Sequence, residues 1–308
     1  MTQSPILVLG SGAMACLFAA RLAASGQPVQ MLASWQPGLE ALQSNGVCLE
    51  EEDGTRHFYP VEAAHDPTRF QGATLALVLV KSWQTERAAQ QLAQCLSPQG
   101  LALTLQNGLG NLETLTALLG KQRAHAGSTT LAATQVQPGC VRMFGEGEII
   151  LGRHPALSPL LDRFHRAGLP TRVEDDIDAV LWDKLLINAA VNPLSALLGV
   201  PNGRLLESPY TQQLYQDLVA EIMQVVTALE IRLPYPDPLA RVEQILRATA
   251  GNRTSMLQDC LRGSPTEIEA ITGSVIRYAT AYGLEVPANR TLYLLVKSRE
   301  LYEMQRNG

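Results

Sequence analysis

Lys184, Asn188 and Asn192 recur at i, i+4 and i+8 in the stretch Leu181-Trp-Asp-Lys-Leu-Leu-Ile-Asn-Ala-Ala-Val-Asn-Pro193. On an α-helix that spacing stacks three side chains on one face, within about 80° of one another. A cation flanked by two carboxamides suits an oxygen-rich ligand, because an ammonium group can stabilise and then protonate a developing alkoxide. The residues between them (Leu185, Leu186, Ile187, Ala189, Ala190, Val191) are too apolar for a helix bathed in water. Asparagine is a poor helix former, so two of them in such a helix need a reason. The stripe is either the wall of a binding site or a polar face turned to solvent. Pro193 is expected to kink the helix and free carbonyls near it.

Other polar positions carry two readings each. Asn202-Gly203 has the composition of a turn, and Ser255 stands four residues before Asp259. Ser264-Pro-Thr-Glu267 reads as a capping box, with Ser at the N-cap, Pro at N1 and Glu at N3. Leu105-Gln-Asn107-Gly-Leu-Gly follows an apolar run. It is either a plain Asn-Gly turn or a group at the carboxyl end of a parallel strand, where ligands bind in open α/β sheets.

A phosphate site is predicted near the amino terminus. Gly10-Ser11-Gly12-Ala13-Met14-Ala15 fits G-x-G-x-x-[G/A] between the apolar run 5–9 and an apolar helix over 13–24. In this pattern the first glycine makes the tight turn, the second lets backbone approach a pyrophosphate, and the third position must be small for the helix to pack on the strand. The helix N-terminus then offers N–H groups and a positive dipole end. An acid at the end of the second strand would bind a ribose 2′-hydroxyl, and an arginine there would accept a 2′-phosphate. The sequence there is Gln30-Met-Leu-Ala-Ser34-Trp35-Gln36, with neither an acid nor an arginine. Ser34 and Gln36 are the available hydrogen-bond donors.

The elements that must position these groups follow from pattern. Strands are predicted over 5–9, 29–33, 74–80, 101–105, 124–128, 140–144 and 148–151, the last two as antiparallel neighbours, with helices over 82–95 and 110–119 between them. After Val173 only helical spacing remains, over 177–198, 212–229, 239–262, 267–282 and 289–305. Glu174, Asp175 and Asp176 suit the positive end of the first of these helices. The expected organisation is an α/β dinucleotide-binding domain over 1–173, with a mostly parallel sheet, and an all-α domain over 174–308.

Composition narrows the function. The chain has 308 residues, 46% hydrophobic and 17% charged, with net charge −5. That is enough for two domains with sizeable cores, and the scattered lysines and arginines argue against a nucleic-acid face. Pro5 to Ala20 is uncharged, but no Lys or Arg precedes it and the Gly10–Gly12 turn breaks it, so neither a signal peptide nor a membrane span is expected. Cys16, Cys48, Cys95, Cys140 and Cys260 are dispersed and lack C-x-x-C. That pattern predicts reduced thiols in a cytoplasmic protein and no cysteine-built zinc site. All five histidines precede residue 166, so an acid or base in the second half is another residue type.

Taken together, Val80-Lys81-Ser-Trp-Gln, Gln106-Asn-Gly-Leu-Gly, Trp182-Asp-Lys-Leu-Leu-Ile-Asn, Asn192-Pro-Leu-Ser-Ala, Pro201-Asn-Gly, Ser255-Met-Leu-Gln-Asp and Thr266-Glu-Ile-Glu resemble the ketopantoate reductases, in order and along nearly the whole chain. The resemblance implies a Rossmann-type domain followed by an all-α domain of the 6-phosphogluconate dehydrogenase C-terminal type. It implies reduction of 2-dehydropantoate to (R)-pantoate by NADPH, without a metal. Lys184 matches the family's general acid. Asn107, Asn188, Asn192, Asn202, Ser255 and Glu267 match substrate-binding positions. Gly10, Ser11, Gly12, Ala13, Met14, Ser34, Lys81 and Asn107 match positions beside the cofactor. Many relatives carry Arg where Ser34 stands. The expected partner is a small 2-oxo acid, with no nucleic acid or membrane, and the chain is expected as a monomer or homodimer. A related reductase for another 2-oxo or 3-hydroxy acid, or a non-catalytic NADP sensor, are the alternatives; Lys184 argues against the sensor.

Overall fold

The first apolar run is strand β1 (Ile6–Leu9), followed by helix α1 (Ala13–Ala24) and strand β2 (Val29–Leu32), in a computed structural model that describes residues 4–307. The chain divides into two compact units. One runs to Gln106 and again from Asn111 to Ile177; the other comprises Asn107–Gly110 and everything from Asp178 onward.

In the first unit the chain continues through α2 (Gln36–Asn45), β3 (Val47–Glu50), β4 (Arg56–Tyr59), β5 (Glu62–Ala64), β6 (Ala73–Val78), α3 (Thr85–Cys95), β7 (Leu96–Thr104) and α4 (Asn111–Leu119). It ends with β8 (Ala124–Thr129), β9 (Ala132–Gln137), β10 (Cys140–Phe144), β11 (Ile149–Gly152), α5 (Ser158–Arg166) and β12 (Thr171–Glu174). Eight strands form one sheet in the order β12-β11-β8-β7-β6-β1-β2-β5. Within it β5-β2-β1-β6-β7-β8 is all parallel, the order of a doubly wound dinucleotide fold. The direction of winding reverses at β1, and the glycine loop leaves β1 at that point. Leu9 is in register with Leu32 and Val78, and Val78 with Thr104, so these strands end together at one edge.

A second, four-stranded sheet, β4-β3-β10-β9, covers α1 from the other side. This explains why the middle of α1 is apolar on every face: Ala15 to Ala20 are all fully buried between two sheets, and Arg21 follows them in the last turn. The expectation that 140–144 and 148–151 pair with each other is corrected here. β10 lies antiparallel to β9 in the small sheet, whereas β11 lies antiparallel to β8 in the large one. The cysteine expectation is corrected as well. β3 and β10 run parallel with Cys48 opposite Cys140, and the two are joined as a disulfide across 92 residues of sequence. Cys16, Cys95 and Cys260 are free and buried.

The regular elements described in the second unit are all helices: α6 (Ile177–Leu198), α7 (Pro209–Ala228), α8 (Pro238–Ala248), α9 (Ser255–Leu261), α10 (Thr272–Ala281) and α11 (Pro287–Asn307). Their shared core includes Leu186, Ala190, Leu218, Ile222, Leu246 and Val275. α6 carries Pro193 inside a continuous helix. The long helix expected over 239–262 is two, because Thr254 accepts from the Leu257 N–H at 3.1 Å and starts α9 afresh. Among the described residues no helix is long and apolar enough to cross a membrane.

Candidate active site

In the first unit the expected cofactor positions share the carboxyl edge of the parallel strands. Gly10 has φ +119°, a conformation that side chains resist, and a Cβ there would meet the Leu79 carbonyl oxygen at 3.2 Å. Ala15, the small third residue of the pattern, sits fully buried beside it. Gly12 is the N-cap of α1 and makes no side-chain cap. A Cβ at Gly12 would meet no atom within 4 Å, and the first turn of α1 holds no acid. Ala13 and Met14 open that turn. The helix start is therefore open and has a positive dipole end, which fits a pyrophosphate. Ser11 is buried, and its carbonyl accepts from Gln135 Nε2 at 3.1 Å, which pins the loop. Ser34 is exposed just past β2, and half-buried Lys81 follows β6. Gln36, read as a spare donor, gives its amide to Glu40 at 2.8 Å instead.

In the second unit the stripe on α6 is not a solvated face. Asn192 is buried, and Lys184 and Asn188 are half-buried. Burial pulls the Lys184 ammonium down to about 8, and the Glu267 carboxylate partly restores its charge. Glu267 is itself buried and accepts from Asn107 Nδ2 at 3.0 Å. Asn107 is held in turn by its loop. The Leu109 N–H donates to the Ala270 carbonyl at 2.9 Å, and a Cβ at Gly108 would lie 2.3 Å from that same oxygen. The Asn-Gly turn is thus also a close backbone approach that only glycine permits. Lys184, Glu267 and Asn107 form one connected group.

The capping reading of Glu267 does not survive. No helix begins at Pro265; α10 starts at Thr272. The Thr266 N–H and hydroxyl both donate to Glu300 Oε1, at 2.7 and 2.6 Å, which holds 264–267 in irregular backbone rather than a helix. Asn202 lies in a turn after α6, buried, with Nδ2 donating to Thr249 Oγ1 at 2.8 Å. Among the described residues its Oδ1 has no hydrogen-bond partner although buried, an acceptor suited to a ligand hydroxyl. Ser255 is exposed at the start of α9, while Asp259 is buried. Sequence reasoning missed the supports of this group. Tyr235 donates to Asp183, the neighbour of Lys184, and Arg241 lies 5.8 Å from the Tyr235 ring centre. Burial raises Asp183, while the Tyr235 hydrogen bond and Arg241 oppose the rise. Nothing in a lone Asp-Lys pair signals a tyrosine fifty-two residues on.

Comparison with known proteins bears on the family and the fold. Residues 6–156 match the family model "Ketopantoate reductase PanE/ApbA", and residues 176–300 match its C-terminal counterpart. The chain is 32% identical over 298 residues to the 2-dehydropantoate 2-reductase of Halobacterium salinarum, covering 95% of this chain and 97% of that one. It is 33% identical over 302 residues to that of Pyrococcus horikoshii, covering 96% and 97%. The solved PanE/ApbA family ketopantoate reductase from Ralstonia eutropha is 32% identical, with TM-score 0.89 over 97% of this chain and 99% of that one. A D-mandelate dehydrogenase structure with NADH and anilino(oxo)acetate shares the fold, with TM-score 0.91 at 24% identity over 97% and 99% of the two chains.

Proposed function

Because the chain belongs to the ketopantoate reductase family, we propose that it reduces 2-dehydropantoate to (R)-pantoate with NADPH, a step toward pantothenate and coenzyme A. The observation that carries the reading is Lys184, a half-buried lysine poised at about 8 beside Glu267 on a carboxamide-lined face. A general acid works best with a pKa near the working pH. Bound NADPH supplies the hydride that reduces the ketone. Lys184 Nζ gives a proton to the C2 oxygen. Asn188, Asn192 and Ser255 hold the carboxylate and hydroxyl of the substrate. Asn202 offers its unpaired Oδ1 to a hydroxyl hydrogen. Glu267 supports the ammonium and, with Asn107, orders the group around it. Gly10 to Met14, Ser34, Lys81 and Asn107 hold the cofactor. The partner is a small 2-oxo acid, and the protein works in the cytoplasm as a monomer or homodimer, without nucleic acid or membrane. Following NADPH absorbance with ketopantoate against a panel of 2-oxo acids tests the reading: comparable turnover of several other acids would assign the protein to a paralogous reductase.

Glu267 and the edge after β2 give two further expectations. Glu267→Gln keeps size and hydrogen bonding but removes the charge that favours the ammonium. It should lower kcat/KM roughly 10-fold and shift the alkaline limb of the rate profile to lower pH, with the melting temperature almost unmoved. Unchanged kinetics would leave Glu267 a purely structural group. Cofactor choice should be modest. With no acid over 33–39 to bind a ribose diol, and no arginine to pair a 2′-phosphate, NADPH should exceed NADH by roughly 10- to 100-fold in kcat/KM. Neutral donors such as Ser34 contribute about 0.5–1.5 kcal/mol each, against about 1.5–3 for charged hydrogen bonds. Ser34→Arg should widen the gap by tightening NADPH. Equal use of both cofactors by the wild type would contradict the choice of NADPH.

A further inference from the structure

Three tryptophans occur in the chain, and Trp35 stands where the dinucleotide reading needs an aromatic surface. β2 ends at Leu32, and Trp35 is the N-cap residue of α2, three residues past the strand. Its side chain is left 46% exposed. The ring does not hang free. A Cβ built on Gly38 would lie 2.6 Å from Trp35 Cε3 and 2.8 Å from Ser11 Oγ, so the indole edge and the middle residue of the glycine loop flank the same backbone point. Only a glycine at position 38 lets both approach. One edge of the indole is therefore anchored against Gly38 beside the phosphate loop, while much of the ring faces solvent.

We propose that Trp35 is the stacking platform for the adenine of the bound dinucleotide, a role that rests on the dinucleotide-binding reading given above. The end of the second strand is where this fold meets the adenosine ribose, and the base extends outward from that sugar. A purine stacks on an indole face with little regard for ring substituents, and such contacts are large enough to decide binding. The platform also answers the question left by Ser34. An edge without an arginine or an acid reads the ribose weakly, so holding the adenosine half falls to the base. The same contact serves NADPH and NADH equally, which keeps the discrimination between them small.

Trp35→Ala, Trp35→Phe and wild type are compared by calorimetry with NADPH and with 2′,5′-ADP, which lacks the nicotinamide half. Trp35→Ala should weaken both roughly 10-fold, and Trp35→Phe should recover most of the loss. The adenine of 2′,5′-ADP does not absorb at tryptophan emission wavelengths. Quenching of wild-type fluorescence by this ligand, lost in Trp35→Phe, therefore reports contact with this ring. Unchanged affinities in Trp35→Ala, or a loss that phenylalanine does not recover, would overturn the platform while leaving the dinucleotide reading intact. If wild type binds neither NADPH nor 2′,5′-ADP, the dinucleotide reading itself fails.

Discussion

Replacing Lys184 by alanine should lower kcat by roughly 10²–10⁴-fold, the range a positioned general acid contributes, while calorimetric binding of NADPH stays within about twofold. The lysine is not needed to hold α6. Its neighbours Leu185 and Leu186 are buried, and Asp183 is tied to Tyr235 independently of it. The pH dependence has a definite sign. Burial lowers Lys184 to about 8 from the ordinary lysine value of 10.5, and Glu267 opposes that shift. Ketone reduction needs the protonated form, so kcat should fall as pH rises through about 8. Oxidation of the hydroxy acid needs the neutral amine and should rise over the same interval. Stability moves with pH too. Between about 8 and 10.5 the unfolded chain binds more protons at this position than the folded one, so Lys184 makes stability increase with pH there. Below that window the charged lysine is a burden on the fold, and Lys184→Ala should melt no lower than wild type at neutral pH. A variant that loses activity together with several degrees of melting temperature would point to collapse of the wall. Wild-type turnover in Lys184→Ala would remove the lysine from the chemistry.

How much of this was legible depended on whether the signal was local. The glycine loop could be read because strand, turn and helix are contiguous, and because the buried middle of α1, Ala15 to Ala20, carries no charged side chain. The stripe on α6 could be read because polar side chains four residues apart stand out against apolar neighbours. The small sheet could not. β3 and β4 have four residues each, and β3 finds β10 some ninety residues later. Cys48 and Cys140 become neighbours only through that pairing, so no spacing rule could have joined them. The capping-box reading of Ser264 to Glu267 failed for a similar reason. Ser-Pro-x-Glu is a sound local helix start, but Glu300, thirty-four residues away, takes the Thr266 N–H and hydroxyl. Tertiary hydrogen bonds outweighed a capping preference of about 1 kcal/mol.

The same logic makes Glu221 the structural residue with the largest expected effect. α11 begins at Pro287, and Val286 before it has no side-chain acceptor to cap the helix. Glu221 on α7 does so from a distance. Its carboxylate accepts from the Ala288 N–H at 2.8 Å, the Asn289 N–H at 2.9 Å and Asn289 Nδ2 at 2.9 Å. Glu221 and Asn289 are both buried, so water cannot readily replace the lost acceptor. Charge-assisted hydrogen bonds contribute about 1.5–3 kcal/mol each, offset here by the cost of burying the carboxylate. Glu221→Ala should therefore destabilise by about 3 kcal/mol, and Glu221→Gln, which keeps one acceptor and loses the charge, by less. The damage has a route to the chemistry. α11 carries Glu300, which holds Thr266, and Tyr293, whose hydroxyl donates to Glu269 Oε2 at 2.6 Å, so the segment bearing Glu267 is fixed by α11 on both sides. Well below the melting transition the folded fraction of Glu221→Ala should keep its substrate KM. As temperature approaches the transition, activity should fail before global unfolding, because α11 frays first and releases 264–269. Amide hydrogen exchange checks the order. Protection in α11 and 264–269 should fall together in the variant while the core of α6 stays protected, and uniform loss across the helical unit would show that Glu221 supports global stability alone.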